Sequence, residues 1–173
     1  VLVNGTGKIG VRGYVIDIFP TSYENAVRIE FWGDTIDSIN ALLKIKNRND
    51  MFTTLDLCNI NLANARMKLI KYGANPSYHI RSGMVEKIAT NSLPVGVVSK
   101  LKIVSYEMPL KNNDLIIMSS DGTGNDFEQI VNDNVHLYCD QHPQEIATFL
   151  MDQVLEKNNL DDISIIVIKV VNN

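Results

Sequence analysis

Leu115-Ile116-Ile117-Met118-Ser119-Ser120-Asp121-Gly122 is the stretch on which the reading of this chain turns. An apolar strand over residues 115–119 runs straight into an Asp-Gly. A buried strand that ends in a carboxylate followed by glycine presents a charged oxygen at the sheet edge, where the backbone can turn sharply. Proteins of the α/β and α+β classes hold hard metal ions in this way. A second carboxylate pair, Asp161-Asp162, stands just ahead of another apolar run, residues 163–171. Two acidic sites on the ends of two neighbouring strands can face one cation. The same residues also suit an ordinary turn and a solvated corner, and the pattern alone leaves both readings open.

The 173 residues are enough for one ordinary domain, or for a domain plus a fragment. A hydrophobic share of 45% with 21% charged residues fits a soluble globular protein. The net charge of −4, with no obvious basic face, argues against strong nonspecific nucleic-acid binding. Cys58 and Cys139 lack CxxC spacing, so reduced thiols in a cytoplasm are expected and a zinc site is not. No apolar run approaches a membrane span, and no signal peptide is visible. The chain opens on Val in the middle of a strand pattern, and so reads as an excised or rearranged piece.

Residues 10–19 read as one strand stopped by Pro20, and residues 27–32 alternate apolar and charged side chains. With Gly33-Asp34 as a turn and a third segment from Thr35, a three-stranded meander is predicted. Asn4-Gly5-Thr6-Gly7-Lys8 lacks phosphate-loop spacing, and Ile9 stands where a magnesium-binding hydroxyl is needed. Val11-Arg12-Gly13, Ile16-Asp17-Ile18-Phe19-Pro20, Val27-Arg28-Ile29-Glu30-Phe31-Trp32-Gly33-Asp34 and Ile36-Asp37-Ser38-Ile39 resemble a signature shared by bacterial transcription-repair coupling factors and the excinuclease B subunit. The likeness covers about the first 38 residues. In that family the segment belongs to a substrate- and partner-binding region and carries no ATPase motif.

Further along, an amphipathic helix is predicted over residues 39–47, with strands over 51–60 and 65–72. Residues 77–81 and 85–89 flank Ser82-Gly83 as a hairpin, and residues 103–108 and 115–119 are expected to pair across 111–114. A short helix is expected after Gly122. Pro143 opens a longer one, with Ile146, Phe149, Leu150, Val154 and Leu155 as its apolar stripe. The unbroken Ile/Val run of the last strand predicts burial on both faces. His79, His136 and His142 read as loop or solvated positions, and Asp56 as a core-edge residue.

Six pieces carry a second resemblance: Phe52-Thr53-Thr54-Leu55-Asp56-Leu57-Cys58, Lys71-Tyr72-Gly73-Ala74-Asn75-Pro76-Ser77, Ser92-Leu93-Pro94-Val95-Gly96, Asp114 through Gly122, Pro143-Gln144-Glu145-Ile146-Ala147 and Asp161-Asp162-Ile163-Ser164. In this order and spacing they resemble the phosphatase domain of stage II sporulation protein E, a branch of the protein phosphatase 2C superfamily. The resemblance implies an α+β fold: a truncated phosphatase 2C-like antiparallel β-sandwich with flanking helices over residues 39–173, preceded by the short β-meander of residues 1–38. It implies hydrolysis of phosphoserine on a partner protein with two Mn²⁺ or Mg²⁺ ions. Carried over by position, Asp121 and Asp161 would be metal ligands, with Gly122 and Asp162 supporting them. Gly73 and Gly96 match loop glycines of the family.

The family's Gly-Asp strand end and Asp-Gly-Met-Gly stretch, which supply the remaining ligands, find no match in residues 1–50. Two carboxylates leave most coordination positions of a binuclear centre to water. Impaired catalysis is therefore expected. The alternative is a non-catalytic fusion fragment that acts as a binding module related to the repair coupling factor. A phosphoprotein substrate and oligomerisation through exposed sheet are the expected partnerships, with no nucleic-acid site and no membrane segment.

Overall fold

The computed structural model describes residues 8–12, 15–19, 27–32, 35–41, 54–94, 104–138, 140–157 and 161–171. At the N-terminal end lie four strands rather than three: β1 (Lys8–Arg12), β2 (Val15–Phe19), β3 (Val27–Trp32) and β4 (Thr35–Ala41). They form an antiparallel sheet in sequence order. The single strand expected over residues 10–19 is two, because Arg12 pairs with Val15 and leaves only residues 13 and 14 between them. β4 also extends through Ile39 and Asn40 to Ala41, where a helix was expected to start; the rest of that helix lies outside the described residues.

Two further antiparallel sheets are built from β5 (Leu55–Asn61), β6 (Arg66–Tyr72), β7 (Ser77–Arg81), β8 (Met84–Ile88), β9 (Ser105–Pro109), β10 (Leu115–Ser119) and β11 (Ile165–Lys169). One has the order β11-β10-β7-β8 and the other β5-β6-β9. The hairpin across Ser82-Gly83 is present, with both residues at positive φ (51° and 76°) as a tight two-residue reversal requires.

β9 and β10 do not pair with each other. β9 joins β6, while β10 lies between β11 and β7. Burial explains the division. Every residue of β10 is buried, which suits a central strand, whereas β9 is mostly solvent-facing and suits an edge. β11 is correspondingly an edge strand, not one buried on both faces, and Ile166 is 56% exposed.

Met67, Leu69, Met108, Ile116 and Met118 interlock between the two sheets. The other face of β7, β10 and β11 is covered by α1 (Phe127–Asp133) and α2 (Pro143–Leu155). Ile146, Leu150 and Val154 are the buried stripe of α2, while Leu155 is 53% exposed and lies off it. Tyr78 meets Phe127 edge to face at 5.9 Å between ring centres, a favourable aromatic geometry. His142 stands exposed in the loop ahead of α2, as expected, and also caps the helix, its Nδ1 accepting from Gln144 N at 3.3 Å and its own N–H donating to Glu145 at 3.1 Å.

The turn from β9 to β10 is closed by Asp114, which is fully buried. Arg81 donates from Nε to Oδ1 at 2.8 Å and from Nη2 to Oδ2 at 2.5 Å, and the Lys111 N–H donates to Oδ2 at 2.8 Å. His79, also buried rather than solvated, lies beside this pair on β7. Burial alone would raise the Asp114 carboxyl, but its donors outweigh that and hold it at about 2. Since about 3.9 is usual in an unfolded chain, ionised Asp114 contributes roughly 2–3 kcal/mol. The contribution is fully present above about pH 4 and is lost as pH falls toward the folded value. Urea titrations between pH 5 and pH 2 should show this loss, and Asp114→Asn should flatten the pH dependence while lowering stability at pH 5.

Candidate metal centre

Asp121 follows β10 after one residue, Ser120, and opens a single 3-10 turn, Asp121–Thr123. Because β10 and β11 run antiparallel with Ser119 opposite Ile165, the Asp161-Asp162 segment ahead of β11 reaches the same end of the sheet as Asp121. The two acidic stretches therefore share one edge, as strand order requires. Ser120 binds them together. Its N–H donates to Ser164 O at 2.9 Å, its Oγ accepts from Ser164 N at 2.9 Å, and the same hydroxyl donates to Asp162 O at 3.2 Å.

Gly122 is required here for space. A Cβ on it would lie 2.2 Å from the Asp162 carbonyl oxygen and 2.9 Å from its carbon. The glycine thus lets the second acidic loop seat against the first.

A cleft of about 190 Å³ opens beside this edge, with Asp121, Ser120, Asn75, Gly73, Thr54 and Asp56 among its walls. Asn75 Nδ2 donates to Ser120 O at 2.9 Å and so ties the loop after β6 to the Asp121 turn. Gly73 holds φ +58°, and a Cβ there would meet Pro94 at 2.6 Å, so both the conformation and the space call for glycine. Gly96, its expected companion, lies outside the described residues. Of the two candidate ligands, Asp121 lines the cleft and is exposed. Asp161 stands in the adjoining loop, exposed, with Oδ1 accepting from the Asp162 N–H at 2.8 Å.

Asp56, one wall of the cleft, belongs to a cluster that strand patterning did not single out. Asp56 on β5 does more than sit at a core edge: it forms an ion pair with Lys71 of β6. Lys71 also donates to Ser77 Oγ of β7 at 2.7 Å, and Ser77 Oγ donates to Asp56 Oδ2 at 3.3 Å. The Lys71 side chain is fully buried and that of Asp56 only 16% exposed. Burial pushes the Asp56 carboxyl up and the Lys71 ammonium down, and their mutual contact opposes both shifts. Asp56 Oδ1 is buried without a hydrogen-bond partner. One signal for this cluster was present in the chain: alternation through Met67 and Leu69 carries Lys71 onto the same face of the strand. A lysine at the end of a buried apolar face needs a carboxylate.

Oxygen donors of this kind suit hard divalent cations such as Mn²⁺ and Mg²⁺. Among the described residues no three His, Cys, Asp or Glu side chains are grouped so as to hold a metal ion. Among the described residues the donor set fits one cation at Asp121, largely coordinated by water, rather than a complete two-metal centre.

A family model described as Stage II sporulation protein E matches residues 23–171. The Stage II sporulation protein E of Bacillus subtilis (strain 168) is 30% identical over 147 residues, 80% of this chain and 18% of that relative. The chain thus spans under a fifth of that relative's length. The phosphatase domain of the B. subtilis protein, in a structure described as Mn presoaked, superposes with a TM-score of 0.60 at 27% identity, covering 76% of this chain and 62% of that one. The catalytic domain of the serine threonine protein phosphatase PstP, in complex with 2 manganese ions, superposes at 0.59 with 17% identity over 72% of this chain and 61% of its own, a likeness of fold alone. Shorter matches join the chain to the transcription-repair-coupling factor of B. subtilis, 34% identical over 70 residues, 40% of this chain and 6% of that one. The UvrABC system protein B of Streptococcus thermophilus is 52% identical over 44 residues, 25% of this chain and 7% of that relative. Both expected resemblances are present, and the α+β sandwich is that of the phosphatase 2C fold.

Proposed function

This chain belongs to the Stage II sporulation protein E family, and from that premise we propose that its cleft serves metal-dependent hydrolysis of phosphoserine on a partner protein. The observation that carries the reading is the convergence of Asp121 and the Asp161-Asp162 loop on one sheet edge beside an open cleft. In this reading Asp121 is a metal ligand and Asp161 a second. Asp162 and Gly122 act through the backbone, the carbonyl of one seating against the bare Cα of the other. Bound Mn²⁺ or Mg²⁺ would supply Lewis-acid polarisation of the phosphoryl oxygens and an activated water. Water oxygen would replace the seryl oxygen on phosphorus, a proton from the water would pass to the departing seryl oxygen, and the products would be the partner's unmodified serine and inorganic phosphate. In this reading the N-terminal sheet, which runs through Ala41 at the end of β4 and so past the expected boundary at residue 38, is a unit of repair-factor type fused to the phosphatase part, and the setting is the cytoplasm.

The donor count sets the expected strength of the activity. With carboxylates enough for one cation among the described residues, this chain by itself is a weak phosphatase. Calorimetric Mn²⁺ titration run beside an aryl phosphate assay tests the proposal. One ion bound, slow turnover, and loss of both in Asp121→Asn are the expected results. Full retention of both in that variant overturns the assignment. A second reading, a partner-binding module, draws support from Ile9 and Val11 on β1, which are 69% and 70% exposed. If that module is the chain's role, Ile9→Asp/Val11→Asp abolishes partner capture and leaves Mn²⁺ affinity unchanged.

A further inference from the structure

Asp56, Lys71 and Ser77 come from β5, β6 and β7, and so from both sheets of the sandwich. Of the three, Asp56 lines the cleft that Asp121 also lines, and the other two hold it from behind. One oxygen of Asp56 is fixed by Lys71 and Ser77, while the other has no donor although it is buried. A buried carboxylate oxygen left without a donor keeps its full desolvation cost, so such atoms mark places where a further group binds. A divalent cation of the Mg²⁺ or Mn²⁺ class keeps several of its waters when held by one or two carboxylates, and those waters are strong donors. Partners of this outer kind orient the inner ligands of a metal and tune its affinity.

We infer that Asp56 is a positioning residue of the metal cleft, which accepts through its free carboxylate oxygen from water on a cation held at Asp121 and is itself oriented by Lys71 and Ser77. The inference rests on the metal-dependent reading of the cleft and deepens it. The ion pair makes the arrangement workable. Lys71 offsets the charge of Asp56, so the cleft can hold a second carboxylate near Asp121 before any cation arrives. Because the clasp spans both sheets, it also sets the distance between the β5–β6 side of the cleft and the Asp121 side.

Mn²⁺ affinity of the full chain, measured by calorimetry below the unfolding transition, is the test, together with the water-proton relaxivity of the bound ion. In Asp56→Asn the affinity should fall about 10- to 100-fold, the range seen when outer partners of metal ligands are replaced. The relaxivity should change as well, because a held water is released. A residue that only braced the sheets would lower the thermal midpoint of the metal-free chain and leave relaxivity alone. Should Asp56→Asn fail to fold, Asp56→Asn/Lys71→Gln keeps three neutral hydrogen-bonding side chains and is read on the same scale. Unchanged affinity and relaxivity in the folded variant, with binding lost in Asp121→Asn, overturn this inference and leave the phosphatase reading standing. Absence of Mn²⁺ binding to the unaltered chain overturns both.

Discussion

Lys71→Met is expected to destabilise the chain by about 3–5 kcal/mol, the cost of leaving a buried charge without its partner. In the unaltered chain Lys71 is fully buried, and its ammonium pairs with Asp56 and donates to Ser77 Oγ. Methionine fills the volume but offers Asp56 nothing. The neighbouring Ser77 hydroxyl can still donate one hydrogen bond, which is too little to compensate a carboxylate that burial already disfavours. The double variant Asp56→Leu/Lys71→Met should recover most of the loss, because replacing both members of a buried pair by apolar groups is often neutral. Urea midpoints of the single and double variants check this. The pH dependence has a definite sign. Asp56 in Lys71→Met has a folded carboxyl raised above its unfolded value, so the variant is least impaired below about pH 4. Its deficit grows as pH rises through the folded value. A deficit independent of pH would show that Asp56 is not the stranded group.

Gly122→Ala is expected to cost about 3 kcal/mol, at the upper end for forced overpacking, and to lower Mn²⁺ affinity at least as far as Asp56→Asn does. The atom in the way is the Asp162 backbone carbonyl, 2.2 Å from the added carbon, and no side chain can rotate to relieve it. The Asp161-Asp162 loop must withdraw. That breaks the paired hydrogen bonds between Ser120 and Ser164 and separates the two acidic stretches. Gly83→Ala is the control. Gly83 has φ +76° with nothing within 4 Å of an added Cβ, so the substitution meets backbone strain alone. It should cost about 1 kcal/mol and leave metal affinity unchanged. Equal effects at the two glycines, read by thermal unfolding and Mn²⁺ titration, would remove Gly122 from the site.

Local signals in the chain were sufficient for much of this architecture. Ser82-Gly83 announces its hairpin because a two-residue reversal needs positive φ. Pro143 and Glu145 announce the start of α2, and the apolar run 115–119 announces a buried strand. The placement of Asp121 and Asp161-Asp162 on one edge was legible too, since it follows once the two strands they flank are neighbours. The readings that failed are those in which neighbours in sequence were taken for neighbours in space. β9 and β10 are joined by a short turn with every local mark of a hairpin, yet Asp114, clamped by Arg81 from β7, steers the chain from one sheet to the other. His79 reads as solvated until β7 is seen to lie inside the sandwich.

The sequence by itself determined the strand and helix periods, the turn chemistry at its glycines, the family and the carboxylates that end the strands, because each of these depends on residues a few positions apart. Only the tertiary structure decided that Asp56, Lys71 and Ser77 form one buried cluster beneath Asp121, and that Gly122 is small because Asp162 lies against it. These are contacts between residues 6 to 40 positions apart in the chain. They arise from the stacking of two sheets, and the burial that makes an ion pair or a missing Cβ consequential exists only once the sheets have closed on each other.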